Sequence, residues 1–158
     1  MKMRLHYAFL VLFVLMISSC SKEIVENTVI VESENAITVE KELLVIVNNH
    51  RTSKGYAPLT YNSIAYKYAN IHTDYMISKG SINHDNFSSR ASSVSAEVNA
   101  SSVSENVARN YVTAAKVLEN WLTSSEHRKA IEGDFTHTAV SVKKDQNGNF
   151  YFTQLFYK

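Results

Sequence analysis

The sequence predicts an α+β fold arranged as a three-layer α-β-α sandwich, with a small antiparallel sheet covered by helices on both faces. Several segments carry apolar residues at helical spacing and end at a glycine. Residues 138–157 form a predicted hairpin through Asn147-Gly148, and both of its faces carry large apolar groups. Because a sheet with one wet face alternates apolar and polar residues, helices should cover both sides of this hairpin.

The first two predicted helices have clear ends. One covers residues 39–53 and stops before Gly55, with Pro58 just beyond. The next covers residues 62–79 and ends at Gly80. Its apolar face is wide, which predicts a buried central helix.

The middle of the chain differs sharply in composition from the helices around it. Residues 88–104 include eight serines among 17 residues, which predicts a loop, and residues 103–108 then form a short strand. A third helix is predicted over residues 113–124, where five apolar side chains share one face: Ala114, Val117, Leu118, Trp121 and Leu122. A fourth helix covers residues 125–132 and ends at Gly133.

The hairpin can be given a register from its turn. A two-residue turn at Asn147-Gly148 places Val142 opposite Thr153 and Val140 opposite Leu155. We therefore expect these strands to be held in that alignment between the two helical layers.

Composition limits the classes of function. The 158 residues suit one domain, and 16 lysines and arginines against 15 acidic residues give no basic field, so we expect no nucleic-acid partner. The single cysteine permits no internal disulfide, no Cys-x-x-Cys zinc site and no redox pair. We expect a monomer.

The N-terminus carries a targeting signal. Lys2 and Arg4 precede an apolar run of 11 residues (7–17), too short for a membrane span, which needs about 20. The run ends in Ile17-Ser18-Ser19-Cys20, which resembles a bacterial lipoprotein cleavage box. This resemblance implies a signal peptide over residues 1–19 and an acylated Cys20 that holds the protein on the membrane. The expected location is extracytoplasmic: the bacterial cell envelope, and the outer membrane, with surface exposure as one arrangement, if the cell is Gram-negative.

Residues 20–38 are predicted to be an acidic tether between this anchor and a domain over residues 39–158. Six glutamates and one lysine lie between residues 23 and 42, without a sustained helical period. We interpret these charges as solubilising.

Five motifs together resemble a known family. In chain order they are Asn49-His50-Arg51, His84-Asp85-Asn86-Phe87, Ser104-Glu105-Asn106-Val107-Ala108, Trp121 with Ser124-Ser125-Glu126-His127-Arg128, and Tyr151-Phe152-Thr153-Gln154-Leu155-Phe156. Their order and spacing resemble the CAP superfamily (cysteine-rich secretory proteins, antigen 5, pathogenesis-related 1), and most of all its short bacterial SCP-domain branch. The resemblance covers residues 39–158 and implies an α-β-α sandwich, in agreement with the independent prediction.

The family resemblance also implies a cleft lined by two histidines and two acidic residues. His84 and His127 match the histidines, and Glu105 matches one acid, although Ser104 replaces the glycine that usually precedes it. The second acid is missing: Ser124 occupies its position, and Glu126 is close but shifted. The family's usual disulfides are absent too.

Two functions from different classes follow. The favoured one is a membrane-anchored module, not an enzyme, whose cleft binds a small ligand such as a lipid, a peptide or a cell-wall fragment. A divalent cation such as zinc could bind weakly at His84 and His127, since two imidazoles leave coordination positions open. The alternative is a metal-dependent hydrolase or peptidase with Glu105 as general base and a metal on the two histidines. A purely structural surface protein would need no cleft chemistry.

The remaining histidines and arginines are weaker candidates for binding or catalysis. His50 and His72 lie on apolar helix faces and are expected to be core or boundary residues. His137 at a strand start is expected to be exposed, and Arg51 to stabilise the first helix. Arg90 is left open between the rim of the cleft and an ordinary solvated position.

Overall fold

The computed structural model describes residues 33–158. Within this range the helices and strands are α1 (Ile37–Ser53), β1 (Thr60–Tyr61), α2 (Ser63–Lys79), α3 (Phe87–Val98), β2 (Val103–Arg109), α4 (Ala114–Thr123), α5 (Ser125–Glu132), β3 (His137–Lys144) and β4 (Phe150–Tyr157). In the same range no helix combines the length and the apolar character that crossing a bilayer requires. The predicted signal peptide, the predicted acylation site at Cys20 and most of the predicted tether lie outside the described residues.

The predicted three-layer sandwich is confirmed. The four strands lie in the order β1-β3-β4-β2, with β2, β3 and β4 antiparallel and the two-residue β1 added in parallel to β3. Helices α1, α4 and α5 pack against one face of the sheet, and α2 and α3 pack against the other. The strands β1 and β2 form the two edges of this sheet, and both cavities described below lie at these edges.

The larger core lies under α1, α4 and α5. Its centre is Trp121, which is fully buried and donates its indole N–H to the Val107 carbonyl oxygen at 3.0 Å. This bond attaches α4 to the edge strand β2. The surrounding apolar side chains come from both layers: Leu43, Val47, Val117, Ile131, Val140, Val142, Phe152 and Phe156.

The second helix has well-defined ends that agree with the prediction to within one residue. Asn62 is its N-cap, and its side-chain oxygen accepts hydrogen bonds from the amides of Ile64 and Ala65 at 2.9 and 3.0 Å. Gly80 ends it in the left-handed conformation, at φ 64°, which glycine adopts without strain. The chain can therefore turn sharply into the segment that carries His84.

The prediction of a loop over residues 88–104 is wrong, because residues 87–98 form α3. Arg90 and Val94, one helical turn apart, are buried against the sheet layer, and Val98 packs there too. Serine is only modestly unfavourable in a helix, by about 0.5 kcal/mol per residue, so burial of one face decides the structure. The short strand predicted over residues 103–108 is confirmed as the start of β2.

The predicted hairpin register is wrong by one residue. Val142 pairs with Phe152 and Val140 with Gln154. The turn is larger than two residues because the Asp145 carboxylate accepts hydrogen bonds from the backbone amides of residues 147 and 149, at 2.9 and 2.8 Å. Gly148, at φ 82°, sits at the left-handed position of this longer turn.

The glutamates between residues 23 and 42 are not all solubilising, which corrects the prediction for Glu40. The first helix begins at Ile37, two residues before its predicted start, and Glu40 in its first turn is buried. Its carboxylate accepts a hydrogen bond from the backbone N–H of Val142 at 2.8 Å. Asn35 also pairs with Lys143, so the segment before α1 already lies against the sheet.

Candidate functional site

The candidate site is a groove of about 260 Å³ at the edge strand β2. Successive strand residues point to opposite faces, so Glu105 contacts the α2–α3 layer and Asn106 contacts the α4–α5 layer. The groove straddles the strand between these layers and is lined by His84, Phe87, Val103, Ser104, Glu105, Asn106, Glu126 and His127. The fold thus brings together the three residues that the family resemblance singled out.

Glu105 is the buried centre of the site. Its carboxylate is bound on both oxygens by the Arg90 guanidinium, with Nε to Oε2 at 2.7 Å and Nη2 to Oε1 at 2.8 Å. His84 donates from Nδ1 to Oε1 at 2.8 Å. Charge-assisted bidentate bonds of this kind are strong and fix geometry, so Glu105 and Arg90 form a rigid base for the groove.

His84 presents its other ring nitrogen to the groove. The residue lies in the connection between α2 and α3, and half of its side chain (51%) is exposed. The proton on Nδ1 is assigned to the bond with Glu105, so Nε2 is the ring nitrogen that remains to meet a ligand. His84 therefore offers a ligand a ring nitrogen whose orientation Glu105 fixes.

His127, from α5, forms the opposite wall. Burial lowers the pKa of His127, and the nearby charge of His84 lowers it further, so this ring is neutral near pH 7. Its backbone carbonyl oxygen accepts from Asn106 Nδ2 at 3.0 Å. Among the residues that the structure describes, its buried Nδ1 has no hydrogen-bond partner. Such unpaired polar atoms are uncommon in native proteins and are often found at functional sites.

Two residues of the site were not predicted as part of it. Arg90, left open in the sequence analysis, is buried beneath the groove. His72 is a buried core histidine as predicted, but its Nε2 also lies 3.7 Å from Glu105 Oε1 while donating to the Asn83 carbonyl oxygen at 2.8 Å. Burial lowers the pKa of His72, so it remains neutral beside the ion pair.

The sequence contains a pattern that marks both His72 and Arg90 as residues on buried helix faces. His72 continues the buried stripe of α2, in line with Ala65, Ala69 and Met76. Arg90 lies four residues before Val94 on the buried side of α3, so the pair marks one helical face within the serine-rich segment.

Ser124 does not line the groove. It is the residue between α4 and α5, and its backbone N–H donates to the Trp121 carbonyl oxygen at 3.2 Å. Glu126 lies at the groove instead, but it is exposed and its Oε1 pairs with Lys129 at 2.8 Å. The residue at the family's second-acid position therefore does not line the groove, and the nearby Glu126 that does is a solvated glutamate in the first turn of α5.

The other candidates lie away from the groove. His50 is half-buried and bonds to Glu132 at 2.8 Å. His137 is half-buried rather than exposed, because its ring stacks on Tyr157 with centroids 4.7 Å apart. Arg51 stabilises the fold as expected, donating from Nη1 to the Ile131 carbonyl oxygen at 2.6 Å.

The donor set does not fit a zinc site. Over residues 33–158, no group of three His, Cys, Asp or Glu side chains is arranged to hold a metal ion. Protein zinc sites use three or four such ligands, and both oxygens of Glu105 are already bound by Arg90. The same contacts leave Glu105 poorly placed to accept a proton from water as a general base.

The fold and the groove define a CAP-type domain. A sequence model of the CAP family, described as the cysteine-rich secretory protein family, matches residues 44–156. The chain therefore belongs to this family, as the five motifs indicated.

Known proteins resemble this chain over most of its length. It is 32% identical over 127 residues to the uncharacterized membrane protein YlbC of Bacillus subtilis, a match that covers 77% of this chain and 35% of YlbC. The chain thus spans about a third of that relative.

Solved structures show the same fold. An outer surface protein from Borrelia burgdorferi matches with a TM-score of 0.69 and 19% identity, over 80% of this chain and 98% of that one. A cysteine-rich secretory protein from Staphylococcus aureus matches with a TM-score of 0.65 and 18% identity, over 77% of this chain and 38% of that one. An extracellular SCP-domain protein from Bacillus anthracis matches with a TM-score of 0.66 and 20% identity, over 77% of this chain and 41% of that one.

Proposed function

We propose that this domain is a binding module whose groove at β2 holds a small ligand: a lipid, a peptide or a cell-wall fragment. The observation that carries the proposal is the pair of imidazoles on facing layers of one groove. His84 is oriented by Glu105, and His127 keeps a buried Nδ1 without a partner among residues 33–158.

The composition of the groove supports binding of an amphipathic ligand. The Phe87 ring and Val103 give it apolar surface, while Ser104, Asn106 and the two histidines give it donors and acceptors. Binding sites commonly combine apolar walls with a few fixed polar groups. The buried Arg90–Glu105 pair keeps the polar wall rigid, which lowers the entropy lost on binding.

Hydrolysis is the less favoured function. It would need Glu105 as a general base and a metal on His84 and His127. The bidentate bond from Arg90 occupies the carboxylate, and the described residues offer no third metal ligand beside the two histidines.

The proposed location is the bacterial cell envelope, outside the cytoplasm, with acylated Cys20 as the membrane anchor. Support comes from the lipoprotein-like box before Cys20 and from relatives named as membrane, outer surface and extracellular proteins. A Cys20→Ala variant should remain unprocessed, which intact mass measurement would show. Processing at residue 19 in that variant would contradict lipidation.

Native mass spectrometry tests the binding function. The full chain is purified from the membranes of its source organism, as the wild type and as a His84→Ala/His127→Ala double variant. We expect a bound molecule on the wild type that the double variant lacks. A His137→Ala variant, which removes a histidine away from the groove, should retain it. A wild type without a bound molecule, or a double variant that keeps it, would contradict the proposal.

A further inference from the structure

A second cavity lies at the opposite edge of the sheet from the groove. It has a volume of about 350 Å³ and opens between the start of α1, the short strand β1 and the start of α2. Its walls are apolar or aromatic: Ile37, Leu44, Tyr61, Tyr66 and Val140. At roughly 30 Å³ per water molecule, it holds the volume of about a dozen waters, enough for a single ring or a short alkyl chain.

The floor of this cavity is a buried carboxylate. Glu40 is only 7% exposed, and three neutral groups donate to it: Asn35 Nδ2 at 2.6 Å, the Val142 amide at 2.8 Å and the Tyr66 hydroxyl at 2.9 Å. Within residues 33–158, Glu40 forms no ion pair with a lysine, arginine or histidine. Buried glutamates are rare without a cationic partner.

The polar groups around Glu40 favour a hydrogen-bond donor over an acceptor. Tyr66 uses its proton on Glu40, so its oxygen presents only lone pairs to the cavity. Burial and the neighbouring Glu40 raise the pKa of Tyr66 to about 12, so the phenol keeps that proton. The Glu40 carboxylate and the Tyr66 oxygen beside it thus favour a ligand group that donates hydrogen bonds.

The aromatic walls favour a positive charge as well. The rings of Tyr61 and Tyr66 lie 5.9 Å apart and tilted by 55°, which forms an aromatic corner at the cavity. The faces of tyrosine rings attract cations, most strongly where water is excluded. Lys41 at the mouth is exposed and does not pair with Glu40.

We propose that this cavity binds an organic ammonium ion, with its apolar body between Ile37, Leu44 and Val140 and its ammonium group directed at Glu40. The site is separate from the groove at β2, because the two cavities lie at opposite edge strands and share no lining residue.

Titration of the full chain with 2-phenylethylammonium and with 2-phenylethanol tests the charge requirement by protein NMR. The two probes have nearly the same shape and differ in charge. We expect the ammonium ion to bind at least tenfold more tightly and to shift the backbone amides of Val140 and Val142. Equal affinity for both probes, or shifts confined to His84 and His127, would overturn the proposal.

Variants of α1 test the location. Ile37→Trp should fill the cavity and abolish binding of both probes, whereas Val45→Trp, at a similarly exposed α1 position outside the cavity, should not. Glu40→Gln should reduce the preference for the ammonium ion to less than threefold. If Glu40→Gln fails to fold, the two tryptophan variants and the comparison of the two probes on the wild type still test the proposal. Undiminished binding by Ile37→Trp would overturn the proposal.

Discussion

The Arg90 guanidinium binds both oxygens of the Glu105 carboxylate, and this pair joins α3 to the edge strand β2 below the groove. Both side chains are buried, so neither charge is stabilised by water. The pair also fixes His84, which donates to the same carboxylate. Stability and the geometry of the groove therefore depend on one ionic contact.

Replacing Arg90 with leucine should be strongly destabilising. It leaves the Glu105 charge buried without its partner, which typically costs about 3–5 kcal/mol. Urea unfolding of the wild type and of Arg90→Leu would measure the change in the free energy of unfolding.

The double variant Arg90→Leu/Glu105→Leu is the control for this prediction. Removal of both charges should restore much of the lost stability, because a buried pair contributes little net stability over apolar side chains of similar volume. A double variant less stable than Arg90→Leu would show that the pair is not the source of the loss.

Stability should fall below neutral pH partly through His72. Burial lowers its pKa in the folded state, so between that pKa and about 6.5 only the unfolded state binds the proton. The contribution of His72 is complete above about pH 6.5 and is lost as the pH falls through the lowered pKa. His72→Gln should therefore lose less stability than the wild type between pH 7.5 and 5, as followed by thermal unfolding.

Thr73→Ser serves as the comparison, because Thr73 is the buried neighbour of His72 in α2 and does not titrate. The pH dependence of its stability should be that of the wild type. If His72→Gln follows the wild-type curve too, burial of His72 does not contribute to the acid sensitivity.

Gly133 is required for space rather than for an unusual backbone angle. A Cβ atom there would lie 2.7 Å from Phe135 Cε2 and 2.8 Å from the Lys129 carbonyl oxygen. Gly133→Ala should destabilise the fold by about 1–3 kcal/mol, the usual range for overpacking. Chemical denaturation would measure it. The neighbouring Asp134→Ala removes an exposed side chain and should change stability by less than about 1 kcal/mol, so equal losses would refute the explanation.

The sequence predicted the layers of the fold but not every connection. Apolar side chains at helical spacing located α1, α2 and α4, and Gly133 marked the end of α5. Helix α3 was missed because eight serines among residues 88–104 indicated a loop, and its buried face contains only Val94 and Arg90, whose charge is paired with Glu105 on another element. The hairpin register was missed because the Asp145 side chain, rather than the Asn-Gly pair alone, sets the turn.

The candidate site was also predictable only in part, because its residues meet through contacts between distant segments of the chain. His84, Glu105 and His127 came from the resemblance to a family, since their sequence separation alone does not show that they meet. Local patterns place His72 and Arg90 on buried helix faces, but they do not predict the contacts of both residues with Glu105 on β2. Glu40 was interpreted as a solvated charge because it is buried by contacts with other segments, the most distant being the Val142 amide 102 residues away in the chain.

The central claim is that His84 and His127 share one groove, and the ring pKa of His127 tests it most directly. NMR titration of the wild type should place that pKa below the ordinary value of about 6.5, first through burial and then through the charge of His84. His84→Ala should raise it, whereas His137→Ala should leave it unchanged. A His127 pKa that is ordinary in the wild type, or unmoved by His84→Ala, would contradict the account.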